Sequence, residues 1–113
     1  MNVLLRLDKE VYSRFKAADK EMPILFYFTR WNELAIDGKI KFLNESGGDK
    51  FAKNPLGFKR AFYKMDLKTD KQTSDYKKTL ALCREKNMSY LVFINTMMVG
   101  YLNGCIYKVK VNV

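Results

Sequence analysis

Two continuous apolar runs constrain the fold of this sequence more than any other feature. Residues 24–28 read ILFYF and follow Pro23, and residues 90–94 read YLVFI. A short apolar run without alternation is typical of a strand that is buried on both faces, and such strands occur where helices cover both sides of a parallel or mixed sheet. The two runs therefore predict an α/β fold in which residues 24–28 and 90–94 are central strands.

The N-terminal residues predict a strand followed by a helix. Residues 3–7 form a short apolar run, and Asp8 is a suitable N-cap for the helix that follows. The apolar face of this helix repeats at steps of four, three and four residues, in Val11, Phe15, Ala18 and Met22. Pro23 then ends the helix before the first buried strand.

The segment from 31 to 43 has two interpretations. Its apolar positions fit one face of a helix that is interrupted or kinked at Gly38. Asp37 and Gly38 also match the two-residue turn of a β-hairpin, because they precede an alternating stretch. We favour the helix, and the choice between a helix and a hairpin over 34–43 stays open.

The middle of the chain predicts a third strand and a further helix. Residues 61–67 have the composition of a strand, and the polar run after them offers an N-cap at Thr73, Ser74 or Asp75. The helix that follows presents Tyr76, Leu80 and Cys83 on one face, and Asn87 is a suitable stop.

The last third of the chain predicts only strands. After the strand at 90–94, we expect a tight turn at 95–96 and a further strand at 97–102. Asn103 and Gly104 favour a type I′ turn, because both residue types adopt positive φ at low cost. Residues 105–113 then alternate between apolar and polar side chains, which is typical of a strand with one buried face.

Composition excludes several kinds of chemistry. The sequence has no histidine, so it lacks the usual general base at neutral pH and the commonest transition-metal ligand. Cys83 and Cys105 are too few for a disulfide framework, and we interpret both as buried structural residues. No segment has the apolar length of a membrane span or the pattern of a signal peptide. We therefore expect one domain over 1–113, without metal or cofactor, in a reducing intracellular compartment.

The order of elements and one tryptophan resemble the thioredoxin superfamily. In that family a hydrophobic strand runs into Trp-Cys-Gly-Pro-Cys at the start of a helix, and here residues 24–28 lead through Thr29 and Arg30 to Trp31. The resemblance covers residues 3–104 and implies a thioredoxin-like three-layer α/β/α fold with a mixed central sheet. A C-terminal β-hairpin strand would stand in place of the family's last helix. A flavodoxin-like or other α/β arrangement stays an alternative.

The same resemblance implies that the redox centre is missing. The nucleophilic and resolving cysteines of the family fall on Asn32 and Ala35, and its cis-proline falls on Met88. Asn32 would serve as an N-cap instead. Without a dithiol at these positions, we expect a non-catalytic protein, although the sequence leaves a cysteine-independent activity open.

The expected C-terminal strand is the first candidate binding surface. A terminal strand without a covering helix would leave apolar side chains exposed, and such patches mark interfaces. The candidate interface residues are Tyr107, Val109, Val111 and Val113. We therefore expect a protein interaction or scaffolding module, in a homodimer or a larger assembly.

The charge distribution supplies an alternative partner. The chain carries a formal net charge of +9; residues 1–37 are neutral overall, and residues 38–78 carry +6 of the excess. A basic, loop-rich excursion at 46–60 interleaves cations with aromatic rings, a composition that is used on single-stranded nucleic acid. The candidate contacts are Lys50, Lys53, Phe58, Lys59 and Arg60. An RNA-associated subunit is therefore the alternative function. The plainer explanation is that Phe62, which also lies among these cations, and its aromatic neighbours belong to the core while the lysines solvate a loop.

Overall fold

A computed structural model describes residues 1–18, 22–39 and 59–102. These residues form two strands and four helices. In chain order they are β1 (Asn2–Asp8), α1 (Lys9–Ala17), α2 (Ile24–Ile36), β2 (Arg60–Asp66), α3 (Asp70–Glu85) and α4 (Tyr90–Leu102). The predicted α/β class is therefore confirmed at the level of mixed helices and strands.

The strands predicted at 3–7 and 61–67 are confirmed and pair with each other. β1 and β2 form a two-stranded antiparallel sheet in which Leu5 lies opposite Tyr63 and Arg6 lies opposite Phe62. Side chains alternate between the faces of a strand, so the odd-numbered residues of both strands share one face. On that face Leu5, Leu7 and Met65 are buried. The sheet is thus half-buried, with one face towards the core.

The cap predicted for the first helix is also confirmed. Asp8 has an extended backbone, and its Oδ1 accepts a hydrogen bond of 3.0 Å from the backbone N–H of Val11. Val11 and Phe15 are buried, as the periodicity predicts. Met22 is exposed, however, because α1 ends at Ala17 and the expected apolar face stops with it.

The strand predicted at 24–28 is wrong. These residues form the first turns of α2, which begins after Pro23 and continues to Ile36. The apolar run is continuous because both sides of the helix are at least partly shielded from water. Tyr27 and Phe28 are buried in the core, and Leu25 and Phe26 on the other side are partly buried. Of the segment 34–43, the residues up to Ile36 are helical as favoured, Gly38 follows in a turn with φ of +71°, and residues 40–43 lie outside the described residues.

The strands predicted at 90–94 and 97–102, with a turn at 95–96, are also wrong. All these residues belong to α4. Asn95 does not break the helix, because its Nδ2 donates to the Leu91 carbonyl at 2.9 Å and its Oδ1 accepts from the Asp8 backbone N–H at 3.0 Å. α4 is buried on nearly every side, so an apolar run here marks a central helix.

The helix predicted after the third strand is confirmed, but it begins earlier than expected. Thr69 is the N-cap of α3, and none of the three predicted caps has that position. Thr69 Oγ1 accepts from the Gln72 backbone N–H at 3.1 Å, and Gln72 Oε1 accepts from the Thr69 N–H at 3.3 Å. This reciprocal pair is a capping box. The predicted stop is confirmed, since Asn87 adopts a φ of +58° just after the helix.

An aromatic cluster joins the helices to the inner face of the sheet. Phe15 packs against the rings of Tyr27, Phe28, Trp31 and Tyr101, with centroids 5.3–6.3 Å apart. The same hydrophobic core contains the buried side chains of both strands and of α4. The described helices and the sheet's inner face therefore share one core.

The thioredoxin-like three-layer arrangement is not confirmed. In the described part of the chain the sheet is antiparallel and two-stranded, whereas a mixed central sheet was expected. The segments at 24–28 and 90–94, which carry the resemblance, are helical. The turn at Asn103 and Gly104, the strand at 105–113 and most of the excursion at 46–60 lie outside the described residues.

Candidate functional site

The two positions that match the redox cysteines lie inside α2. The helix has Pro23 at its N-cap position, so the expected N-cap role of Asn32 is wrong; Asn32 and Ala35 are both buried in the second half of the helix. Met88 is partly buried in the short connection between α3 and α4, and its backbone N–H donates to the Cys83 carbonyl at 3.0 Å. No peptide bond among the described residues is cis. The structure therefore does not bring these three positions together as a surface site.

Asn32 instead belongs to a buried polar cluster between three helices. Its Oδ1 accepts a hydrogen bond of 2.7 Å from the Tyr90 hydroxyl of α4. Thr79 of α3 is fully buried beside it and donates to the Asp75 carbonyl at 2.8 Å. Burial raises the pKa of Tyr90 far above its ordinary value, so the phenol stays protonated at neutral pH. The cluster ties helices together and offers no ionised group for acid–base chemistry.

Cys83 has the environment of an inert thiol. Its side chain is 1% exposed, and burial raises the pKa of the thiol to about 12. A reactive cysteine needs a thiolate at neutral pH and access to its target. Cys83 has neither, which agrees with the structural role expected for it. Cys105 lies outside the described residues.

A charged depression lies between α2 and α3. It has a volume of about 290 Å³ and is lined by Arg30, Glu33, Ile36, Asp37, Lys71 and Asp75. Glu33 is 2.8 Å from both Arg30 and Lys71, and Lys71 is also 2.8 Å from Asp75. Partial burial alone would raise the pKa of Glu33, but the hydrogen bonds from Lys71 and Arg30 outweigh it and lower that pKa. Because Arg30 and Lys71 are both paired with carboxylates, the depression has no free cation for an anion among its lining residues.

The outer face of the sheet has a different character. Leu4 and Phe62 are 61% and 60% exposed, although both are large apolar side chains. Arg6 is the cross-strand neighbour of Phe62, and Lys64 is the cross-strand neighbour of Leu4. We call these four residues the outer sheet face. Its two apolar groups lie on one diagonal and its two cations on the other.

The acidic residues at the ends of the outer sheet face already have partners. Asp8 caps α1, and Asp66 is 3.0 Å from the Lys68 ammonium. Within the described ranges, Arg6 and Lys64 form no salt bridge. This small surface therefore combines uncovered apolar area with two cations that form no salt bridge with the described residues, although Lys64 is still attracted to Asp66 near the end of the strand.

The candidate nucleic-acid contacts are only partly described. Lys59 is exposed directly before β2, and its carbonyl accepts from the Lys9 N–H at 2.8 Å. Arg60 is partly buried at the first position of β2. Lys50, Lys53 and Phe58, and the candidate interface at Tyr107, Val109, Val111 and Val113, lie outside the described residues.

Sequence reasoning did not select Leu4 or Arg6. The signal was present, because Leu4 and Arg6 alternate with Leu5 and Leu7, and a period of two separates a wet face from a buried one. Phe62 was noted among the cations, but its assignment to the core is wrong, because it lies on the face of β2 that is turned away from the core and is 60% exposed. Only the pairing of β1 with β2 brings these side chains together.

Two further observations concern cofactors and membranes. Among residues 1–18, 22–39 and 59–102, no group of three His, Cys, Asp or Glu side chains is arranged to hold a metal ion. In the same part of the chain, no helix combines the length and apolarity that crossing a bilayer requires.

Comparisons with known proteins give no relative of this chain. No family model, no curated protein and no solved structure matches it.

Proposed function

We propose that this protein is a non-catalytic binding module that contacts a macromolecular partner through its outer sheet face. The observation that carries the proposal is the exposure of Leu4 and Phe62 beside Arg6 and Lys64. Exposed apolar area that is concentrated on one small surface is characteristic of interaction sites. Protein interaction in a homodimer or larger assembly, and RNA association as the alternative, both need a surface of this kind.

The non-catalytic part of the proposal is supported by the environment of the residues that would have to react. Asn32 and Ala35 carry no thiol and are buried, and the raised pKa of Cys83 keeps that thiol protonated at neutral pH. The polar cluster around Tyr90 is closed to solvent. An insulin-reduction assay tests this directly, and we expect no turnover above the uncatalysed rate; measurable turnover would contradict it.

Site-specific photo-crosslinking tests the binding surface. The variant Phe62→p-benzoylphenylalanine places the crosslinker on the outer sheet face, and Ser74→p-benzoylphenylalanine places it on an exposed position of α3 as the matched control. Irradiation in the native source, followed by gel analysis and mass spectrometry, separates protein adducts, nuclease-sensitive adducts and adducts between two copies of this chain.

We expect an adduct that forms at position 62, is absent at position 74 and disappears when excess unlabelled chain competes. The same adduct should be lost when Leu4→Asp is combined with the crosslinker. If positions 62 and 74 give the same products, or if position 62 gives none, the outer sheet face is not a binding surface and the proposal is refuted.

A further inference from the structure

The geometry of the outer sheet face points to single-stranded nucleic acid as its partner. We infer that Phe62 stacks on an unpaired base while Arg6 and Lys64 contact the flanking phosphates. This inference rests on the proposed function, because it names the occupant of the same surface. It is carried by the distribution of exposed aromatic, apolar and cationic groups over the two strands.

The spacing of the side chains fits a nucleotide-sized contact. Cross-strand neighbours have Cβ atoms about 4.5–5.5 Å apart, so Arg6 begins directly beside the Phe62 ring. Lys64 is two residues from Phe62 on the same face of β2, a separation of roughly 7 Å. The Phe62 ring therefore has Arg6 beside it on β1 and Lys64 beside it on β2. Both cations are close enough to contact the phosphates on either side of a base that stacks on the ring.

Phe62 is unusual among the aromatic residues of the described ranges. The rings of Phe15, Phe28 and Trp31 are fully buried, whereas 60% of the Phe62 side chain is exposed. An exposed ring is a platform for stacking, which contributes to binding with any base because every base has a π-face. Leu4, on the diagonal from Phe62, extends the apolar part of this platform.

Charge favours a polyanion over a second copy of the chain. The four residues of the outer sheet face include two cations and no acid. Next to them, Asp8 caps α1, and Asp66 pairs with Lys68 at 3.0 Å and attracts Lys64 more weakly, so cations still exceed acids on this surface. Two such faces packed together would bring like charges into contact. The net charge of +9, with exposed Lys59 at the start of β2, strengthens the attraction for phosphates.

An acidic peptide would satisfy Arg6 and Lys64 but would leave the Phe62 ring without a stacking partner. A base-paired duplex also fits poorly, since its bases are already stacked on one another. Single-stranded nucleic acid uses both features of the surface at once. Stacking and phosphate contacts do not distinguish RNA from DNA, so both are tested.

Fluorescence anisotropy of the full chain provides the measurement. The probes are fluorescein-labelled RNA and DNA single strands of about twelve nucleotides and mixed sequence, and a duplex of the same length, in about 50 mM salt. We expect both single strands to bind, and the duplex to bind more weakly. RNA binding alone, or DNA binding alone, would support the inference and identify the natural class.

Substitutions of Phe62 test stacking. Phe62→Ala should weaken binding by about 5- to 150-fold, the range for loss of one base–aromatic stack. Phe62→Tyr should retain affinity, whereas Phe62→Leu should not, because leucine keeps apolar area but has no π-face. Since the side chain is 60% exposed, these variants should unfold at the same urea concentration as the wild type, which is measured alongside.

Paired charge variants test the phosphate contacts. The Arg6→Gln, Lys64→Gln double variant should reduce the salt dependence, the slope of log affinity against log salt, by about 1.4, or about 0.7 per lost contact. The control is Lys77→Gln, Lys78→Gln on α3, which removes the same charge from exposed positions away from the sheet. It should leave the slope nearly unchanged.

Three results would overturn the inference: no binding of either single strand at a protein concentration of about 100 μM, equal affinity of Phe62→Ala and wild type, or equal effects of the two double charge variants. If a nuclease-resistant protein adduct nevertheless forms at position 62, the nucleic-acid assignment fails and the binding module stands. If position 62 gives no specific adduct of any kind, both fail together.

Discussion

The hydrogen bond between Tyr90 and Asn32 provides the sharpest test of the buried architecture. The Tyr90 hydroxyl donates to Asn32 Oδ1 at 2.7 Å, and both residues are buried. Among the described residues, Asn32 Nδ2 has no hydrogen-bond partner, so this bond is the side chain's main polar contact. Tyr90→Phe removes one oxygen and leaves Asn32 Oδ1 buried without its donor.

The expected cost follows from that unpaired acceptor. Leaving a buried polar group unsatisfied lowers the free energy of unfolding by about 1–3 kcal/mol. With a urea m-value of about 2 kcal/mol/M, a loss of about 2 kcal/mol lowers the unfolding midpoint by about 1 M. Fluorescence of Trp31, the chain's single tryptophan and a fully buried one, reports the transition.

Three further variants isolate the hydrogen bond: Tyr101→Phe, Asn32→Leu, and Asn32→Leu combined with Tyr90→Phe. Tyr101→Phe is the matched control, since it removes a tyrosine hydroxyl from the same helix and that hydroxyl makes no hydrogen bond with the described residues. Asn32→Leu combined with Tyr90→Phe replaces both polar partners with apolar groups. The double variant should be more stable than the sum of the single losses predicts, by about 1 kcal/mol or more. If the unfolding free energies of Tyr90→Phe and Tyr101→Phe differ by less than about 0.5 kcal/mol, the hydrogen bond does not couple α2 to α4.

Three other perturbations have expected outcomes. Burial raises the pKa of Cys83 from 9.0 to about 12, so its contribution to stability is complete below pH 9 and is lost as the pH rises towards 12. Urea titrations across this window should show the loss, at up to about 1.4 kcal/mol per pH unit, and Cys83→Ala should lessen the slope below pH 10. Thr69→Ala removes the capping box of α3 and should cost about 1 kcal/mol, whereas exposed Ser74→Ala should cost far less; equal effects would contradict the cap. Gly38→Ala places a Cβ at φ +71° in open space, so backbone strain alone should cost about 1 kcal/mol by thermal unfolding, and Gly38→Asn should cost less.

Amphipathic elements of this chain could be predicted from the sequence. β1, β2 and α1 each bury apolar residues on the side that meets the core, and their solvent-facing positions are mostly polar, with Leu4 and Phe62 as exceptions. Asp8 was recognised as a cap because an Asx residue directly before a periodic apolar pattern is a local signal. The N-cap of α3 was predicted several residues too late. Thr69 belongs to the same polar run as Thr73 and Ser74, and any of these residues is a suitable N-cap.

The two central helices could not be identified in the same way. A helix that is buried nearly all round and a doubly buried strand both appear as continuous apolar sequence, so periodicity does not distinguish them. Asn95 and Thr96 were taken for a turn because they interrupt such a run. In the fold the Asn95 side chain donates to the Leu91 carbonyl within α4 and accepts from the Asp8 backbone N–H of β1. The second bond joins distant parts of the chain, so the local sequence does not indicate it.

The outer sheet face could be predicted only in part for the same reason. Phe62 and Lys64 are visible as an aromatic residue next to cations, but their partners Leu4 and Arg6 lie far away in sequence. Their combination is a consequence of antiparallel pairing. A surface that is assembled from two distant strands has no local sequence signature.

The long-range contacts of β1 also determine when this protein can fold during synthesis. β1 is made before its hydrogen-bonding partner β2, which begins at Arg60, and the Asp8 backbone N–H donates to Asn95, 87 positions later. Leu5 and Leu7 therefore stay without their native neighbours on the ribosome until most of the chain has been made. Late formation of these long-range contacts slows folding, and the apolar segments of the nascent chain can aggregate before the contacts form. A chain whose translation stops before α4 should consequently depend on chaperones, even though its first strand and helix are complete.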